Sequence, residues 1–160
     1  MKFSFAPIVN ANSKVLILGT MPSEQSLKYQ QYYGNKINHF WKIIFNLFKQ
    51  NHTDDYIIKT KILLDNHIAL WDVLFSCECI GSLDSNIKQE IPNDFATFFA
   101  LYSNIKYVFF ASQNAANFYK KYVKKDFNLQ YYTLPSPSTA NARYSLEQKI
   151  QEWQKILAYL

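Results

Sequence analysis

Lys14–Trp41 reads KVLILGTMPSEQSLKYQQYYGNKINHFW, and its opening decides the fold. Val15 to Leu18 is an unbroken apolar run bounded by Gly19, the pattern of a buried strand that ends in a tight turn. Gly19-Thr20-Met21-Pro22-Ser23 then forms a loop outside the strand's carboxyl end, where open α/β sheets bind their ligands. Tyr32-Tyr33-Gly34 follows, and Asn38-His39-Phe40-Trp41 heads an amphipathic run. A turn, an aromatic pair and a lone amide side chain thus fall within one loop-rich stretch, read as a site.

Outward from that stretch, strands and helices alternate. Residues 1–13 form a short arm. Residues 38–50 carry Phe40, Ile43, Ile44, Leu47 and Phe48 at helical spacing, and residues 54–65 repeat the pattern with Ile58, Ile62 and Leu63. Ile68-Ala69-Leu70-Trp71 is a second buried strand closed by Asp72. A long loop is expected from Ser76 to Asn93, with Asn93 capping a helix through Phe95, Phe98, Phe99 and Tyr102. Tyr107 to Ala111 is a third strand, and Ser112 caps a helix running to about residue 124. Tyr131 to Leu134 is a fourth strand, stopped by Pro135 and Pro137. Ser145 and Gln148 have capping-box spacing, and the last helix carries Leu146, Ile150, Trp153, Ile156 or Leu157, and Leu160 on one face. Alternation of this kind implies a parallel sheet with right-handed crossovers. No repeat or linker interrupts it, so residues 1–160 are expected to form one domain.

Composition narrows the class. With 160 residues, 49% hydrophobic and 18% aromatic, the chain supplies one sizeable core. Three glycines and five prolines argue against low complexity. A net charge of +5 permits an anionic partner, nucleic acid being the commonest, but from charge alone solvated lysines are the preferred account. Cys77 and Cys79 sit one residue apart, so on a strand they face opposite ways and do not pair. They are too few for a structural zinc, and His39, His52 and His67 lack ligand spacing. Reduced thiols, no signal-like start and no apolar run of membrane length lead to an expected cytoplasmic protein.

Several chemistries are absent. Neither GxGxxG nor a P-loop occurs, no GxSxG elbow appears, and no HExxH pattern exists. The remaining material is GTMPS, YYGNKIN and LPSPSTAN, which a parallel sheet brings to its carboxyl edge. With Leu70-Trp71-Asp72-Val73-Leu74, Ser76-Cys77-Glu78 and Gly81-Ser82-Leu83-Asp84-Ser85, these segments resemble the uracil-DNA glycosylase superfamily, and within it the hypoxanthine-DNA (deoxyinosine) glycosylase branch. The resemblance runs from about residue 14 to 157 and rests on the order and spacing of the segments together.

It implies a three-layer α/β/α fold around a four-stranded parallel sheet, and a monofunctional DNA glycosylase that flips out a deaminated base. Hypoxanthine is the expected substrate. The alternatives are a uracil or mismatch-type enzyme, or a non-catalytic nucleic-acid-binding domain of the same fold. The resemblance also implies site residues. Mismatch-type relatives carry a water-positioning asparagine two places after the first glycine; here that place is Met21. The deoxyinosine branch is similar in lacking it and relies on the asparagine before Phe-Trp, here Asn38. Gly19, Thr20, Met21, Pro22 and Ser23, with Tyr33 and Phe40, are the expected base pocket, Tyr33 stacking on the extruded base. Ser136, Pro137, Ser138, Thr139, Asn141 and Arg143 are expected to meet DNA. The branch usually has His-Pro three and two residues before the asparagine; this chain has Asn35 and Lys36. No metal or cofactor is implied, and the partner is DNA containing a deaminated base, met by a monomer and not by a membrane protein.

The residue types suit that chemistry. Hydrolysis of an N-glycosidic bond passes through an oxocarbenium-like sugar while the base leaves with negative charge. An asparagine can orient water with its carbonyl oxygen and donate to the base with its amide, so positioning and electrostatics carry the reaction. Taken singly, each residue has a plainer reading. Asn38 is a good helix cap, Tyr32 and Tyr33 are ordinary packing aromatics, and Phe40 and Trp41 fall at core spacing. Asp72 and Asp84 could serve as catalytic carboxylates or as braces for loops.

Overall fold

The computed structural model describes residues 1–160. β1 (Lys2–Phe3) opens the chain and β2 (Val15–Gly19) follows. Three helices, α1 (Glu24–Tyr29), α2 (Phe40–Leu47) and α3 (Tyr56–Asp65), lead to β3 (Ile68–Asp72). Next come β4 (Leu74–Glu78), β5 (Lys88–Pro92), α4 (Phe95–Leu101) and β6 (Tyr107–Phe110). Last are α5 (Gln113–Tyr122), β7 (Gln130–Thr133) and α6 (Leu146–Trp153), which runs into a 3-10 turn over Gln154–Tyr159.

The main sheet has the order β3-β2-β6-β7 and every pair is parallel. β2 and β3 are buried along their whole length, as their apolar runs require. Alternation along the strands divides the core. Val15, Ile17 and Phe109 pack with Phe40, Ile44, Leu63 and Trp153 from α2, α3 and α6. Leu16, Leu18, Val108 and Phe110 pack with Phe95, Phe98, Ala115 and Tyr119 from α4 and α5. The result is the expected α/β/α layering on four parallel strands. Gly19 pairs with Asp72, Leu18 with Phe110, and Phe110 with Thr133, so the carboxyl ends of all four strands share one edge. The chain leaves β2 toward β3 on one side and returns to β6 on the other. That reversal opens a crevice above the sheet.

Several expectations need correction. The long loop from Ser76 to Asn93 instead holds most of a second, antiparallel sheet, β1-β4-β5, with a 3-10 turn at Asp84–Asn86. β5 reads KQEIP, poor in strand formers and closed by proline, so no local signal betrays it. The arm is held as well: Ser4 N–H donates to Phe75 O at 2.8 Å, and Ile8 and Leu70 exchange both backbone bonds at 2.9 Å. Asp94, not Asn93, caps α4, its carboxylate accepting from Thr97 N–H. Asn93 instead donates Nδ2–H to the Asp72 carbonyl at 2.8 Å. α1 was not expected; at six residues it is too short for a periodic signal, although Ser23 caps it through Ser26 N–H. Ile58 lies 46% exposed, so only Ile62 and Leu63 of that stripe reach the core. α2 spans less than 38–50, and α6 gives way to the 3-10 turn at Gln154.

Candidate active site

The crevice is a cleft of about 750 Å³ at the carboxyl edge of the parallel sheet. Gly19 to Ser23 form one wall, Tyr33, Asn35 and Asn38 a second, and Ser136 to Ser138 with Asn141 and Arg143 a third. Two neighbouring segments before α2 therefore meet a distant one after β7, as the sheet topology demands. Two expected residues stand aside: Phe40 is fully buried behind the cleft, and Thr139 is exposed but does not line it.

Asn38 is held in a short, self-bonded turn. Its Oδ1 accepts from Phe40 N–H at 2.9 Å, and its own N–H donates to Asn35 O at 3.0 Å. Asn35 Oδ1 in turn accepts from Ile37 N–H at 3.2 Å. Asn35, standing where the deoxyinosine branch has histidine, thus braces the turn through its own side chain. The bond to Phe40 and the cleft position of Asn38 coincide, one residue before His39, the N-cap position of α2: the oxygen fixes the amide, and Nδ2 remains as its free hydrogen-bonding end. Tyr33 follows α1 in a left-handed conformation, φ 52°, which a bulky side chain adopts only when its surroundings impose it. Its ring stacks on Phe40 with centroids 4.0 Å apart. Phe40 therefore backs Tyr33 instead of facing the base.

The floor carries groups that sequence reasoning left undecided. Asp72 ends the all-buried β3 beside Gly19, and its Oδ1 would lie 2.7 Å from a Cβ at that position, so only glycine fits. The Tyr33 hydroxyl closes the same corner, 3.2 Å from that point. Asp72 Oδ2 is enclosed and has no hydrogen-bond partner. Burial, and then the charge of Asp84, push the Asp72 carboxyl up to about 7. Burial also raises Asp84, against the pull of the Thr20 hydroxyl and the Asn114 amide. Tyr33 is raised by burial and by both carboxylates. Ser82, Leu83 and Asp84 come from the segment before β5, and Ser112, Gln113 and Asn114 from the start of α5. The available signal for Asp72 was a lone acid ending an apolar strand in register with Gly19.

A parallel α/β/α sheet with this three-walled cleft defines a class, and comparison with known proteins gives the same one. Residues 6–160 match the Uracil DNA glycosylase superfamily, and the chain belongs to that family. It is 32% identical over 160 residues to a hypoxanthine DNA glycosylase of Methanosarcina acetivorans, covering 99% of both chains. A hypoxanthine DNA glycosylase of Methanosarcina barkeri is 29% identical over 153 residues, covering 95% of each. The solution NMR structure of a candidate uracil DNA glycosylase from Methanosarcina acetivorans superposes with a TM-score of 0.84 at 34% identity, covering 97% of this chain and 95% of the other. No helix is long and apolar enough to cross a membrane.

Proposed function

We propose that this protein is a monofunctional DNA glycosylase that excises hypoxanthine from DNA and leaves an abasic site. It acts as a monomer and one domain, in the cytoplasm, where the free thiols of Cys77 and Cys79 persist. The observation that carries the reading is the enclosed carboxyl of Asp72, whose Oδ2 has no hydrogen-bond partner at the floor of the cleft. Buried polar groups are normally satisfied, and this one belongs to a residue that lines the cleft. Deamination of adenine places a C6 carbonyl beside an N1–H. A neutral carboxyl offers one donor and one acceptor, the complement of that edge. Its raised proton affinity makes the neutral form available near pH 7.

The reaction breaks the C1′–N9 bond, and the electron pair leaves with the base. Water adds to C1′, and the proton it gives up ends on the departing base, so that neutral hypoxanthine and an abasic site result. Donors aimed at the base lower the barrier by stabilising the charge that develops on it. Asn38 Nδ2 and the Asp72 acid are the donors of this cleft assigned to the base. A carboxylic acid held neutral by an apolar site can serve as such a donor, whereas a carboxylate would oppose the departing charge. Tyr33, backed by Phe40, offers a surface for stacking that offsets roughly 1–3 kcal/mol of the cost of flipping. Uracil carries the same lactam edge, so a uracil-excising enzyme is the second reading this carboxyl supports.

The test is single-turnover base release from oligonucleotides containing deoxyinosine, deoxyuridine or deoxyxanthosine. Hypoxanthine release should fall about 10²–10³-fold in Asn38→Ala. In the wild type it should decline as pH rises through about 7, where Asp72 ionises. Asp72→Asn, a permanently neutral analogue, should lose that decline, and Asp72→Ala should be slow throughout. Release of uracil alone would move the substrate. No release of any base, with DNA binding intact, would leave a nucleic-acid-binding domain.

A further inference from the structure

Lys149 is a fully buried lysine, 1% exposed, on α6. It has no carboxylate within ion-pair distance; the five ion pairs of the chain all lie elsewhere. A buried ammonium without a counter-charge is costly, and its burial here depresses its proton affinity. Its partners explain its place. Nζ donates to Ser138 O at 2.9 Å and lies 3.2 Å from His39 Nδ1. His39 N–H donates to Pro137 O at 2.9 Å. The turn holding Asn38 and the loop after β7 are thus joined twice, once through backbone and once through Lys149.

The loop itself shows what the joint is for. Four successive carbonyls are all engaged inside the protein. Pro135 O accepts from Trp153 Nε1 at 2.9 Å, Ser136 O from Asn141 Nδ2 at 3.2 Å, Pro137 O from His39 N–H, and Ser138 O from Lys149 Nζ. None is left to repel an incoming phosphate. Lys149 and Trp153, one helical turn apart on α6, grip the two ends of that run.

We propose that Lys149 is a positioning residue, a clasp through which the loop that seats the DNA backbone fixes the placement of Asn38. The inference rests on the glycosylase reading above. A phosphate held by the loop and a base facing Asn38 belong to one substrate, so the two walls must keep a fixed separation. Errors near one ångström between such groups cost rates of about a hundredfold. The joint needs a lone pair on His39 Nδ1, hence a neutral ring. Burial, Lys149 and Lys42 all disfavour the charged ring, and these two lysines are the charged groups that bear on it.

The experiment uses His39→Ala, His39→Asn and Lys149→Met in the full chain, with deoxyinosine-containing duplex under saturating single-turnover conditions. His39→Ala and Lys149→Met should each slow release about tenfold to a hundredfold, with DNA affinity changed less than about threefold. The double variant should be no slower than the slower single one, because the two act as a unit. His39→Asn, whose Oδ1 can stand where Nδ1 stood, should recover most of the rate. If Lys149→Met does not fold, the two His39 variants decide. The side-chain amide resonances of Asn38 give a readout independent of turnover: they should move in His39→Ala and return in His39→Asn. A wild type that releases no base overturns the glycosylase reading. Asn38 resonances unmoved in His39→Ala, or an unchanged release rate with only affinity lost, overturns the clasp.

Discussion

Asp72 stands where a carboxyl is expensive, and the expense has a pH signature. A group whose proton affinity is raised by folding contributes stability at low pH and loses it as pH climbs through the folded value. For Asp72 that window runs from the ordinary carboxylate range up to about 7, at roughly 1.4 kcal/mol for each unit. Asp72→Asn removes the ionisation and keeps the shape. It should therefore melt at a higher temperature than the wild type at pH 8, with the gap closing by pH 4, in thermal scans followed by circular dichroism. A gap independent of pH would mean that Asp72 is not the group that titrates. The sequence named both Asp72 and Asp84 without choosing between roles. Burial, the orphaned Oδ2 of Asp72 and the fit against Gly19 are properties of the folded corner, and no local pattern encodes them.

Elements divide sharply by how much of their cause is local. β2 and β3 were legible because an unbroken apolar run, VLIL or IALW, is itself the requirement for a strand covered on both faces. The capping box of α6 was equally legible, and Ser145 and Gln148 make both reciprocal bonds. β4 and β5 were not, because β5 is poor in strand formers and β4 takes its place from the core that receives Leu74 and Cys77 and from β1, more than seventy residues away in the chain. The α4 start shows the limit of cap rules. Asn93 and Asp94 are both good caps, and only the tertiary bond from Asn93 to the Asp72 carbonyl decides between them. Asp94→Ala should therefore cost about 1 kcal/mol of stability and leave base release unchanged. Asn93→Ala should cost a similar amount and also slow release, because it frees the backbone that carries Asp72. Chemical denaturation with a parallel release assay separates the two; equal behaviour would show that the end of β3 is held without Asn93.

At the scale of the molecule, charge and cleft do not coincide. The chain carries +5, yet the cleft is lined by Asp72, Asp84 and Glu152 against one cation, Arg143. α5 points its first turn at the cleft, so Lys120 and Lys121 in its last turn, with Lys124 and Lys125 beyond, lie at the far end. Lys149 is buried and Lys155 is paired to Glu152 at 2.6 Å, which leaves Arg143 and the exposed Lys36 and Lys42 as the unpaired cations near the walls. Each phosphate neutralised contributes about 0.9 to the slope of log affinity against log salt. This protein should accordingly show a slope of about −2 to −3 on deoxyinosine duplex, well short of a repressor-like value near −10. Arg143→Ala should reduce the slope by about one and weaken binding to all sequences alike. Lys124→Glu with Lys125→Glu should leave it unchanged. Fluorescence anisotropy titrations across a salt series measure all three. A steep slope that falls with the α5 pair instead would place the DNA path across the far face, and the cleft would then not be where the duplex docks.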